Sequence, residues 1–182
     1  FNFKDVLKIT KSNFRNKNLE TSFNGVVEIN PFLNFAIILN IKKINKNMGE
    51  ININRFLNKE YLKKLNGKFL VLYENNSQLN SGLIKKSQIN LSIKNGNFFV
   101  DESKILFSGG LLNFYGDTFN FQGMKKINFN LLFNFRDTDK FLKYLSLNKK
   151  KIKMPNIIET MGSFNILPKK INLNKIRSDS NQ

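Results

Sequence analysis

Along Lys126 to Arg136 every odd position is apolar, Ile127, Phe129, Leu131, Phe133 and Phe135, and every even one is polar except Leu132. Successive side chains of a β-strand point to opposite faces, so this spacing predicts a strand with one apolar and one polar face. The alternation recurs at Phe35, Ile37, Leu39 and Ile41, against Asn34, Asn40 and Lys42. It recurs again at Ile89, Leu91 and Ile93, against Gln88, Asn90, Ser92 and Lys94.

The same reasoning predicts strands over Phe1–Ile9, Leu19–Ile29, Phe32–Ile44, Lys68–Tyr73, Leu83–Lys94, Asn97–Val100, Lys104–Ser108, Leu111–Tyr115, Thr118–Phe121, Lys125–Arg136, Gly162–Leu167 and Lys170–Ile176. Asn95-Gly96 between two alternating runs predicts a two-residue hairpin, because both central positions of a type I′ turn need positive φ. Asn24-Gly25, Asn66-Gly67, Gly109-Gly110 and Gly116-Asp117 are weaker turn signals. Sequential antiparallel pairing is the expectation.

Two segments carry helical spacing. Asn54–Leu65 places Leu57, Tyr61, Leu62 and Leu65 on one stripe, and Asp137–Leu147 does so with Phe141, Leu142 and Leu145. Each follows a long alternating strand and precedes a glycine-led one, with Phe69 and Phe164 separated by 95 positions, which suggests a degenerate strand–helix–strand repeat.

Five apolar side chains on one strand face gain about 8 to 15 kcal/mol on burial, so such a face demands cover. Roughly ten strands spaced about 4.8 Å apart make a sheet about 48 Å wide, whereas two helices about 10 Å across cover about 20 Å of it. The remainder is covered either by the sheet itself, closed as a sandwich or barrel, or by a bound apolar ligand. The expected fold is thus mainly β with two short helices, residues 1–176 forming one unit and 177–182 a tail or linker.

Composition narrows the chemistry. The 182 residues contain no cysteine and no histidine, which removes disulfides, thiolate ligands and the commonest general base. Asp101-Glu102 and Asp137 with Asp139 read as turn and cap residues, so no catalytic residue, metal site or cofactor is expected. A net charge of +17 points towards nucleic acid or an anionic membrane surface. However, 26 lysines, 31 asparagines and 19 phenylalanines against one alanine, Ala36, also fit an AT-rich coding sequence.

A nucleic-acid interface would put aromatic stacking platforms beside cations. Here the phenylalanines of Lys126–Arg136 take the opposite parity from Lys126 and Arg136, so nucleic acid is not an expected partner. Lys149, Lys150, Lys151 and Lys153 before Pro155 read as a solvated loop, with contact to lipid head groups as their functional reading. No run of 18 apolar residues occurs, and a chain opening at Phe1 is expected to be part of a longer protein.

The order of Phe23-Asn-Gly-Val-Val-Glu-Ile-Asn-Pro31, Leu65-Asn-Gly67, Ile93-Lys-Asn-Gly96, Leu106-Phe-Ser-Gly-Gly110, Leu112-Asn-Phe-Tyr-Gly116 and Asp137-Thr-Asp-Lys-Phe-Leu resembles the AsmA-like family of bacterial envelope proteins. These are relatives of the repeating β-groove lipid-transfer proteins. The resemblance spans Phe14 to Leu147 and rests on loose glycine turns and alternation. It implies a long curved antiparallel sheet forming an open groove, apolar inside, in a periplasmic protein tethered to the inner membrane by an N-terminal helix. It implies lipid transport or a part in outer membrane biogenesis; this sequence shows no such anchor.

The leading expectation is therefore a non-enzymatic segment binding phospholipid acyl chains. Its groove lining would be Phe35, Ile37, Leu39, Ile41, Ile89, Leu91, Ile93, Ile127, Phe129, Leu131, Phe133 and Phe135. A closed structural β-domain scaffolding an envelope complex, and a basic nucleic-acid-binding domain, are the alternatives.

Overall fold

The computed structural model describes residues 5–17, 19–29, 32–44, 64–75, 82–121, 124–147, 153–165 and 170–179, and at 120, 121, 124 and 125 the backbone alone. Ten strands form a single sheet in chain order: β1 (Val6–Arg15), β2 (Leu19–Glu28), β3 (Asn34–Ile44), β4 (Asn66–Glu74), β5 (Ile84–Lys94), β6 (Asn97–Phe107), β7 (Gly110–Phe121), β8 (Met124–Phe135), β9 (Ile157–Asn165) and β10 (Lys170–Ser178). The sheet is open: β1 and β10 are its edges and do not pair with each other. A closed barrel is thereby excluded.

Eight of the nine strand pairs are antiparallel; short connections dictate this for seven, while β8 and β9 are antiparallel across a 21-residue connection. The exception is β3 with β4, which run parallel from Asn34↔Asn66 to Ile41↔Tyr73. The expectation of purely antiparallel pairing fails here. Parallel neighbours require the chain to travel back the length of a strand, and the 21 residues between Ile44 and Asn66 provide that length. The expected helix over Asn54–Leu65 lies, apart from Lys64 and Leu65, outside the described residues. The strand–helix–strand repeat is not a repeat of topology, because β3 and β4 are parallel whereas β8 and β9 are antiparallel.

The hairpin between β5 and β6 turns as its dipeptide demands, with φ of 51° at Asn95 and 76° at Gly96. Gly109-Gly110 also marks a turn, between β6 and β7 with φ of 101° at Gly109, whereas other turn signals mislead. Asn24-Gly25 lies within β2, and Gly116-Asp117 within β7, where Gly116 pairs with Phe129 and Asp117 with Asn128. The two strands expected on either side of Asp101-Glu102 are one strand, β6, whose ladder is broken there by a β-bulge. β10 runs on through Arg177 and Ser178, two residues expected in the tail.

Bulges recur at one height. Thr10 and Lys11 of β1 stand opposite Asn24 alone, because Ile9 pairs with Gly25 and Ser12 with Phe23. Asp101 and Glu102 of β6 stand likewise opposite Tyr115, and Asn174 and Lys175 of β10 opposite Met161. Each bulge inserts one residue and bends its strand locally.

One helix occurs among the described residues, α1 (Thr138–Tyr144). The Asp137 carboxylate caps it, accepting from the Lys140 amide at 2.8 Å, and Asp139 and Lys143 sit at the dipole ends that suit their charges. It ends in a Schellman motif: the Leu147 amide donates to the Leu142 carbonyl at 2.9 Å and the Ser146 amide to the Lys143 carbonyl at 3.1 Å. Ser146 occupies the left-handed position, φ 57°, that glycine usually fills.

Candidate functional site

Paired residues of adjacent strands share a face, so the register extends one strand's parity across the whole sheet. Starting from Ile127 the pairing gives a row through all ten strands: Leu7, Val27, Phe35, Gly67, Ile93, Phe98, Thr118, Ile127, Phe164 and Ile171. The next row is Ile9, Gly25, Ile37, Phe69, Leu91, Val100, Gly116, Phe129, Gly162 and Leu173. Neither contains a charge. All twelve residues expected as groove lining fall on this face.

Sequence pattern missed the contribution of β4. Phe69, Leu70, Val71 and Leu72 are consecutive apolar residues without parity, and only the pairing of Phe69 with Ile37 and Leu91 shows which face each takes. Likewise Phe114, inside β7, joins the face through its partner Leu131.

Three hydroxyls on this face are turned back onto the backbone. Thr118 accepts from the Phe98 amide at 2.8 Å, Thr21 donates to the Asn40 carbonyl at 3.0 Å, and Ser103 donates to the Asp101 carbonyl at 2.8 Å. Each thus has its polar atom satisfied.

Glycines on the face act as seats for aromatic rings of the neighbouring strand. A Cβ on Gly67 would lie 2.6 Å from the Phe35 ring, one on Gly162 2.8 Å from that of Phe129, and one on Gly110 2.8 Å from that of Phe107. The rings lie over bare backbone, an arrangement that compensates glycine in a sheet.

Cover is local. α1 places Phe141 against Phe107 and Phe135, both at ring-centroid distances of 5.1 Å, and Leu142 is 2% exposed. Phe133 stacks on Phe135 at 5.9 Å and extends the cluster inward. At the opposite end of the strands Ile93 is 2% exposed, and Phe35 packs on Phe69 with centroids 4.6 Å apart. At the sheet edges the same face opens to solvent: Leu7 is 57% exposed, Ile171 63%, Leu173 54% and Ile176 62%.

The other face is polar. Asn130, buried, donates its amide to the Tyr115 hydroxyl at 2.7 Å. Hollows open on this side, among them one of about 780 Å³ beside Phe99, Tyr115, Asp117, Asn128 and Met161, one of about 480 Å³ at Asn40, Leu72, Glu74 and Lys86, and one of about 320 Å³ at Lys104, Asn113, Leu132 and Glu159. Phe99 is a phenylalanine on the polar side, with the Lys94 ammonium 5.7 Å from its ring centre. Among the described residues no group of three or more acids could hold a metal ion, and no helix is long and apolar enough to cross a membrane. Of the lysine cluster, Lys149, Lys150 and Lys151 lie outside the described residues; Lys153 is exposed.

No protein-family model matches this chain, and neither does any curated protein or solved structure. The class of molecule is set by the fold alone: an open, mainly antiparallel sheet with one apolar and one polar face.

Proposed function

We propose that this chain is a non-enzymatic lipid-binding segment whose apolar face holds phospholipid acyl chains. The observation that carries the reading is the pair of uncharged rows running from β1 to β10. Nine inter-strand steps of about 4.8 Å give each row about 43 Å of apolar length. Acyl chains laid on it would be held by the hydrophobic effect, with little selectivity for chain identity. The face would curve as a groove, and the bulges in β1, β6 and β10 support this because they bend three strands at one height. α1 would close one corner of the trough.

On this reading the protein works in lipid transport between membranes or in outer-membrane assembly. It would act in the bacterial periplasm, attached to the inner membrane by an anchor outside this sequence, with Lys153 and its neighbouring lysines near head groups. Purification from cells in detergent-free buffer, followed by mass spectrometry of the extracted lipid, tests it. About one or more phospholipids per chain is the expected result; lipid-free protein that stays folded and takes up none from vesicles would overturn it.

A further inference from the structure

The two edges of the sheet match each other. Eight antiparallel steps and one parallel step separate β1 from β10, so the two edge strands run in the same direction. On the apolar face β1 presents Leu7, Ile9, Ser12 and Phe14, and β10 presents Ile171, Leu173, Ile176 and Ser178. Both series have the spacing two, three, two, because each strand carries its bulge between the second and third members.

We propose that copies of this chain join end to end, β10 of one pairing in parallel with β1 of the next. Setting Ile171 abreast of Leu7 also sets Leu173 beside Ile9 and Ile176 beside Ser12, and it brings Asn174 and Lys175 beside Thr10 and Lys11. Both apolar rows then continue unbroken into the second copy. Exposed Ile171, Leu173 and Leu7 become covered, and the ladder of the sheet continues across the junction of the two edge strands.

Selectivity follows from the irregularity. A bulged, lysine-bearing edge discourages pairing with a regular strand, whereas a strand faulted at the same place fits it. The charges in this alignment are staggered: Lys8 lies abreast of Asn172, Arg177 of Asn13, and Asp179 of Arg15. A single like pair remains, Lys11 with Lys175. The same surface does not meet itself, so the contact is heterologous and propagates rather than closing at two copies.

Sedimentation velocity over a wide concentration range tests this. The mass is expected to climb from 21.2 kDa through successive multiples, and further at higher salt, which screens Lys11 from Lys175. Lys175→Glu should strengthen association about fivefold by making that pair attractive, and adding Lys11→Glu should undo the gain. Because the chain has no cysteine, a mixture of Lys11→Cys and Lys175→Cys proteins offers a second readout. Oxidation is expected to give the mixed disulfide in excess over either homodimer. A 21.2 kDa particle at every concentration for the wild type and both charge variants, a species that stops at two copies, or random disulfide pairing would overturn the proposal.

Discussion

The corner of the apolar face beneath α1 and the ends of the same face at β1 and β10 are built from similar side chains in the same alternation, yet their environments are opposite. At the corner, Leu142 and Phe135 are buried, and Phe107, Phe135 and Phe141 make a three-ring cluster. At the edge Ile171, Leu173 and Ile176 are each more than half exposed. Alternation therefore specifies which way a side chain points, and a second element decides whether it is core. Between these extremes lies the stretch where acyl chains are proposed to sit.

The largest effect is expected at the covered corner. Leu142→Ala removes the buried anchor of α1 and should cost about 2–5 kcal/mol, read as a lower midpoint of urea unfolding. The matching change at the edge, Leu173→Ala, should move stability by no more than about 0.5 kcal/mol. Equal losses at the two sites would erase the distinction drawn between them.

Next in size is Gly67→Val, which drives a branched side chain into the Phe35 ring and should cost about 1–3 kcal/mol. Combining it with Phe35→Ala should cost less than the sum of the two changes, since the second vacates the space the first needs. Strict additivity in that double-mutant cycle would show that the ring is not seated on Gly67. The smallest effect is a gain: Ser146→Gly relieves a left-handed residue at the end of α1 and should stabilise by about 0.5–1 kcal/mol, seen as a higher melting temperature.

These sites also mark how far the sequence could be read. The strand at Lys126–Arg136, the Asn95-Gly96 turn and the helix after Asp137 were legible because each rests on local geometry: period two, positive φ, and a carboxylate cap. Asp101-Glu102 looked like a turn because a bulge uses the same exposed, acidic residues as a loop. Gly116 looked like a break, although it sits inside β7 across from Phe129. The parallel pairing of β3 with β4 depends on where a long connection returns, which no local pattern encodes.

For the candidate site, parity on three strands identified the face. Its extension through β4 and β7, and the seating of Phe35 and Phe129 on glycines of adjacent strands, needed register. Leu131 and Leu132 are equally apolar, and the alternation of their strand is what assigned Leu131 to the apolar face. Pairing separates them in the same way, Leu131 with Phe114 on the apolar face and Leu132 with Asn113 on the polar one.

That adjacent pair provides the most direct test of the central claim. With no native cysteine, Leu131→Cys and Leu132→Cys can each be labelled with the same polarity-sensitive fluorophore and exposed to phospholipid vesicles. A blue shift at position 131 that saturates with lipid, and no shift at 132, is the expected result. Equal responses at both positions, or a response at 132 alone, would contradict it.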